Sequence, residues 1–307
     1  MKLSIVTTSF QSSSTIGTFV DRIHASAKQL RISYELIIVE DGSIDDSKNK
    51  IIQLLPKYKN MKLIELSRNF GHHQAILIGL EQARGEHVFL IDSDLEEDPE
   101  LVTLFYSEIL DSKVDVVYGI RNNLGAGTPD QFLSKMFWRL FRKFTKLKIP
   151  KGICTVRMMN QKYVNSLLLH KEVNVFLAGL WEITGFTQKP VEVTKVYKGR
   201  TNYTYGKRLD LALTSLISFS GRPLRLIAVS GATIVLLASL MLFVLTIRHF
   251  TYDEASQGWL SLMTVIIFVG GIQILSIGMV AIYVASILDE VKARPRAIIA
   301  NIWPIEK

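Results

Sequence analysis

A single cysteine, Cys154, occurs among 307 residues. An intrachain disulfide and a zinc site built on thiolates are therefore both excluded. The lone thiol fits a reducing compartment and reads as a packing residue. The first ten residues, MKLSIVTTSF, lack the long apolar stretch of a secretory signal. The expectation is that the part that follows stays on the side of the membrane where it is made. Two long stretches, residues 226–247 and 260–288, lack charge altogether. Neither has a polar face, so neither suits a half-solvated helix. About 20 apolar residues cross the hydrocarbon core of a bilayer, and both runs are long enough.

What is present follows the same division. Hydrophobic residues make up 48% of the chain and mean hydropathy is +0.24, with the surplus in the last third. The formal charge is +8, which admits nucleic acid, anionic lipid or a polyphosphate as partner. Lys207, Arg208, Arg222 and Arg225 precede the first apolar run, and Lys292, Arg294 and Arg296 follow the second. The connecting segment offers only Arg248. Positive charge gathers on the cytoplasmic side of membrane helices, so both termini are expected there, with a helical hairpin crossing the bilayer. Basic residues clustered beside apolar spans argue against nucleic acid.

The first 120 residues alternate short β-rich runs with helical patterns. LSIVTT, ELIIVED, MKLIELS, HVFLID and VDVVYG read as strands, with helices expected near 13–30, 45–58, 73–84 and 99–111. This rhythm predicts an α/β domain with a mostly parallel, doubly wound sheet, whose ligands bind beyond the carboxyl ends of the strands. Short polar motifs follow three of these runs. In IDSDLEEDPE, Asp92 and Asp94 flank Ser93 just after a strand, with Glu96 close by. Paired hard oxygen ligands of this kind hold Mg²⁺ or Mn²⁺ together with a phosphate. A solvated acidic turn is the bland alternative. In VEDGSIDDS, Asp41 is placed to accept hydrogen bonds from a nucleobase or ribose, while Ser43 or Asp45 could cap the next helix. In SRNFGHHQ, Arg68 is placed to meet a phosphate or an acidic neighbour. His72 and His73 are adjacent at a helix start and do not converge on one ion, so they read as structural or substrate-contact residues.

Residues 130–149 interleave Phe132, Phe137, Phe141 and Phe144 with Lys135, Arg139, Arg142 and Lys143. Aromatic bulk with basic rims suits an anionic membrane interface. A helix packed on the sheet with a solvated basic face is the alternative. Residues 205–225 read as a second interfacial element.

Taken together, the three motifs resemble those of glycosyltransferase family 2, of the GT-A fold. More narrowly, the chain is similar to the polyprenyl-phosphate glycosyltransferases, the group of dolichyl-phosphate mannose synthase and the bacterial undecaprenyl-phosphate glucosyl and aminoarabinosyl transferases. The segments VVYGIR, SFSGRPLRL and EVKARPRAI extend the resemblance over nearly the whole chain. It implies a donor site formed by Thr8, Phe10, Asp41, Arg68, Asp92, Ser93, Arg157, Lys198 and Arg200. Asp92, Asp94 and Glu96 would gather Mg²⁺ or Mn²⁺. Arg121, Lys135 and Arg139 would bind the acceptor phosphate, with Asp92, Asp94 and Arg121 central to catalysis. The resemblance also implies a homotetramer. Departures occur at Thr8-Ser9-Phe10-Gln11-Ser12, at Cys154-Thr155-Val156-Arg157 and at Ala178-Gly179-Leu180, so no particular sugar carries over.

The expected organisation is a cytoplasmic GT-A domain over 1–204, an interfacial helix or linker over 205–225, two transmembrane helices within 226–288, and a basic cytoplasmic tail over 289–307. The resemblance implies a multi-pass protein of the inner membrane. It would transfer a sugar from a UDP-, GDP- or dTDP-sugar to polyprenyl phosphate with inversion. Two rivals are an enzyme that extends a lipid-linked glycan at a sugar hydroxyl and a non-enzymatic membrane module. A processive synthase is disfavoured, since no Gln-x-x-Arg-Trp occurs.

Overall fold

The computed structural model describes residues 1–121, 139, 141–145, 147–173, 175–194, 220–252 and 258–304. Five strands form where the apolar runs lie: β1 (Leu3–Ser9), β2 (Tyr34–Glu40), β3 (Met61–Leu66), β4 (His87–Leu90) and β5 (Val116–Arg121). The helices between them are α1 (Ile16–Gln29), α2 (Ser47–Leu54), α3 (His72–Gln82) and α4 (Leu101–Ser112). Three further strands complete the sheet: β6 (Ile153–Asn160), β7 (Gln188–Val193) and β8 (Ile299–Trp303). Their order is β7-β5-β6-β4-β1-β2-β3-β8. β4, β1, β2 and β3 run parallel, β6 lies antiparallel between β4 and β5, and β8 is antiparallel to β3.

Alternation along the strands sends side chains to two buried faces. Leu3, Ile5, Leu36, Ile38, Leu63, Phe89, Val156 and Met158 meet α1, α2 and α4 through Phe19, Ile23, Ile51 and Phe105. On the other face α3 lies against Val6 and Val39, close enough that a Cβ on Gly79 would sit 2.5 Å from Val6 Cγ1. Two short helices, α5 (Gln161–Leu167) and α6 (Leu177–Ile183), follow β6. Helices on both faces leave the strand ends as the open edge.

His24, on α1, tests this core by pH. It is 1% exposed, stacks on Tyr58 at 4.0 Å and pairs with the Tyr34 hydroxyl at 2.9 Å. Burial pushes the imidazole down to about 4, aided by the positive charges of Lys28 and Lys57 against the opposing carboxylate of Asp21. An unfolded histidine takes up its proton near pH ~6.5. The unfolded state therefore binds more protons between these values, and stability falls as pH drops through that window. The loss is expected to reach ~3 kcal/mol by the lower value. Thermal unfolding at pH 7 and 5 checks it: His24→Phe should flatten the difference, and an unchanged slope would refute the assignment.

The chain divides into two compact units, one of Met1–Met136, Leu147–Thr204 and Arg294–Lys307, the other of Phe137–Lys146 and Tyr205–Ala293. Within the first, residues after the last long helix return to the sheet. The segment treated as a tail from sequence thus includes an edge strand, β8, which supplies the backbone partners that β3 would otherwise lack. The second unit holds two long helices, α7 (Arg222–Tyr252) and α8 (Trp259–Val291). Each uncharged run lies inside one of them. Among the described residues, Phe268–Val291 is long and apolar enough to cross a membrane, and none of it is buried. Residues 141–145 are helical and tie to α7 and α8: Arg222 Nη1 donates to Lys143 O, Ser220 Oγ donates to Phe144 O, and Tyr283 OH to Ser220 O. Residues 130–138, 140, 146 and 205–219 of the expected interfacial segments lie outside the described residues.

Candidate active site

Three loops meet beyond the carboxyl ends of β1, β2 and β4, with the β3–α3 loop alongside. The β1 and β4 ends are joined by Ile91 N donating to Val6 O at 3.1 Å and by Ser93 Oγ donating to Thr8 O at 2.7 Å. Ser93 is buried, so this bond fixes the turn that carries the two aspartates on either side of it. Asp92 is largely buried and Asp94 is exposed. Glu96 N donates to Asp94 Oδ1 at 2.9 Å, closing a turn in which Leu95 takes φ +60°. A β-carbon in that region is strained, which marks the turn as held by its surroundings.

The β2 end is knotted to its neighbours. Glu40 accepts from Gly42 N and Ser43 N at 3.2 and 2.6 Å, Ser43 Oγ accepts from Gln11 N, and Asp45 accepts from Ser13 N. Gly42 has φ +68°, and a Cβ there would stand 2.4 Å from Asn69 N and 2.5 Å from Arg68 C. The turn after β2 therefore presses directly on the β3–α3 loop. Asp41 completes that junction. It is 2% exposed, and its oxygens accept from Phe70 N at 2.7 Å and Gly71 N at 3.0 Å. Burial pushes its carboxyl above the usual range, against the opposing pull of those two N–H groups. The structure thus gives Asp41 the work of holding the Asn-Phe-Gly turn.

The other expected donor residues separate by exposure. Thr8 lies at the β1 end, and Phe10 just beyond it is 46% exposed. Arg68 is exposed, with its guanidinium 4.2 Å over the Phe70 ring. Arg157 does not reach the surface. It is 0% exposed on β6, its guanidinium 3.0 Å over the Trp181 ring and donating to Thr155 O and Cys154 O. Burial lowers its pKa from the ordinary guanidinium value. Strand register puts Arg157 opposite both Leu90 and Tyr118. A cavity of about 330 Å³ beside α6 is lined by Tyr118, Lys148, Trp181 and Glu182, and by none of the expected donor residues.

Arg121 ends β5 at the same edge of the sheet, its N–H donating to Gly152 O at 2.8 Å. Gly152, at φ +71°, would carry a Cβ 2.7 Å from Arg121 O, so only glycine permits this approach. Arg139 is exposed in the second unit. Lys135, Lys198 and Arg200 lie outside the described residues.

Among the described residues, no three His, Cys, Asp or Glu side chains form a metal-holding group, so Asp92, Asp94 and Glu96 do not make a closed cage. Two neighbouring aspartates, one exposed, instead suit a hard cation that takes one or two carboxylates and completes its shell with phosphate and water. One contact was not legible from sequence. His72 Nε2 lies 3.4 Å from Asp92 Oδ1, and its Nδ1 lies 3.1 Å from Thr8 Oγ1. A histidine opening a helix after the third strand was the available signal. Its reach to the aspartate turn depends on α3 crossing behind β1.

The pattern described as glycosyl transferase family 2 matches residues 4–168. A protein of Mycobacterium tuberculosis named as a putative glycosyltransferase is 39% identical over 99% of this chain and 89% of its own. The undecaprenyl-phosphate 4-deoxy-4-formamido-L-arabinose transferase of Photorhabdus laumondii is 27% identical over 98% of this chain and 94% of its own. Among solved structures, glucosyl-3-phosphoglycerate synthase of M. tuberculosis, in complex with Mn²⁺, UDP and glucosyl-3-phosphoglycerate, aligns with a TM-score of 0.51. It is 16% identical over 72% of this chain and 80% of that one, a likeness of fold.

Proposed function

The chain belongs to glycosyltransferase family 2, and from that premise we propose that it transfers a sugar from a nucleotide donor to polyprenyl phosphate at the cytoplasmic face of a membrane. The observation that carries this reading is the Asp92-Ser93-Asp94 turn, pinned by Ser93 at the open end of the sheet. The polyprenyl acceptor is supported by full-length similarity to an undecaprenyl-phosphate transferase and by the apolar segment Phe268–Val291. We read α7 and α8 as a two-span anchor, with both termini cytoplasmic on the strength of the flanking lysines and arginines.

Asp92 and Asp94 would hold the cation that orients the donor diphosphate; the Mn²⁺ complex of the synthase with the same fold is consistent with this role. A bound Mg²⁺ or Mn²⁺ would neutralise the charge that collects on the departing nucleoside diphosphate. Phe10, Arg68 and the loop held by Asp41 line the donor side. Arg121 positions the acceptor phosphate, whose oxygen is already anionic near neutral pH. No strong general base is then required, and none is assigned. A single displacement at the anomeric carbon inverts its configuration.

Detergent-purified protein supplied with Mn²⁺, undecaprenyl phosphate and a panel of nucleotide sugars should give one lipid-linked sugar by mass spectrometry. Transfer only to a lipid-linked glycan would overturn the acceptor assignment. Arg121→Ala should raise the KM for polyprenyl phosphate ~10–100-fold, the worth of one hydrogen bond to a charged group, while leaving the donor KM near its wild-type value. A change confined to the donor KM would move Arg121 to the other substrate.

A further inference from the structure

We propose that His72 is a positioning residue for Asp92, fixing that carboxylate in the orientation in which it meets the cation; the inference rests on the transferase reading above. The imidazole stands at the first position of α3, between the β1 end and the β4 end, with Nδ1 3.1 Å from Thr8 Oγ1 and Nε2 3.4 Å from Asp92 Oδ1. One tautomer satisfies both neighbours. With the proton on Nε2, Nδ1 accepts the Thr8 hydroxyl and Nε2–H faces the carboxylate. The reverse tautomer sets a nitrogen lone pair against a carboxylate oxygen. Asp92 Oδ1 is buried and makes no hydrogen bond among the described residues; His72 Nε2, 3.4 Å away, is placed to close on this oxygen and so restrict rotation of the carboxyl.

The histidine is itself held in place. Asp41 grips Phe70 N and Gly71 N immediately before it. After it, His73 Nδ1 contacts Val175 O at 2.9 Å, and Gln74 Nε2 donates to Val173 O at 2.8 Å. An imidazole so anchored turns the packing of α3 into a fixed direction for Asp92. Groups that orient a metal-binding side chain are commonly worth ~10–100-fold in metal affinity.

The test uses the full-length protein in detergent. Mn²⁺ binding is followed by electron paramagnetic resonance with UDP, GDP or dTDP present, beside the thermal unfolding midpoint. His72→Ala should weaken Mn²⁺ binding ~10–100-fold. His72→Gln, whose amide can donate to the same oxygen, should restore most of that loss. Thr8→Val, which removes the hydroxyl without changing the shape of the side chain, should fall between them and covers the case in which His72→Ala fails to fold. Wild-type Mn²⁺ affinity in His72→Ala, or equal weakening in the alanine and glutamine variants, would overturn the inference and leave the transferase reading standing. Failure of the wild type to bind Mn²⁺ with any of the three nucleotides would bring down the metal-dependent reading and the inference with it.

Discussion

Asp94→Ala is expected to abolish sugar transfer, lowering the rate at least ~10³-fold, or ~4 kcal/mol in the barrier. The size follows from where the charge develops. On the proposed reaction the departing nucleoside diphosphate would gain negative charge as the glycosidic bond breaks, and Asp92 and Asp94 together would hold the cation that offsets it. Asp94 is the exposed member of the pair, so its removal opens no cavity in the core. It accepts a hydrogen bond from Glu96 N, and losing that bond loosens a turn at the surface. The variant should therefore insert into membranes and unfold at nearly the wild-type temperature. Product formation with undecaprenyl phosphate, measured beside the unfolding midpoint, separates the two effects. Normal turnover by Asp94→Ala would remove the metal assignment.

Gly42→Ala should damage the donor site through the backbone alone. The residue takes φ +68°, where an L side chain costs about 1–2 kcal/mol. The added Cβ would also stand 2.4 Å from Asn69 N and 2.5 Å from Arg68 C, both main-chain atoms that cannot rotate away. The β2–α2 turn and the β3–α3 loop must then separate, carrying Phe70 and Gly71 off the Asp41 carboxylate. A displacement of about 1 Å near a reacting centre typically lowers rates ~10²-fold, and a loss of that order in kcat/KM is expected. Gly42→Asn distinguishes strain from collision. Asparagine tolerates positive φ but carries the same Cβ, so it should be as impaired as alanine. Recovery with asparagine would show that conformation, not contact, is what the glycine supplies.

The legible part of the site consists of short motifs at strand ends. Asp92 and Asp94 could be placed because HVFL is apolar enough to be a strand, and a strand that ends on Asp-Ser-Asp must present them at the edge of the sheet. The surroundings of Asp41 and Arg157 could not be read in the same way. Both sit in motifs that look like ligand contacts, yet both side chains are buried. One is engaged by Phe70 N and Gly71 N, the other lies under Trp181, which comes from a later helix. Which groups satisfy a polar side chain is settled by loops that come from other elements, and no local pattern records them. β8 escaped notice for a related reason. IANIW is five residues long, and its partner β3 lies more than 230 residues away, as the Glu65–Asn301 separation of 236 shows.

The sequence by itself determined the α/β succession, the aspartate pair at a strand end and the two uncharged runs near the carboxyl terminus. These depend on periodicity, composition and run length, which are properties of neighbouring residues. Only the tertiary structure decided that Asp41 serves a loop, that Arg157 is enclosed, that β8 closes the edge beyond β3, and that His72 stands between Thr8 and Asp92. Each is a contact between segments far apart in the chain, fixed by sheet order and helix packing, so it comes into being only when the elements assemble.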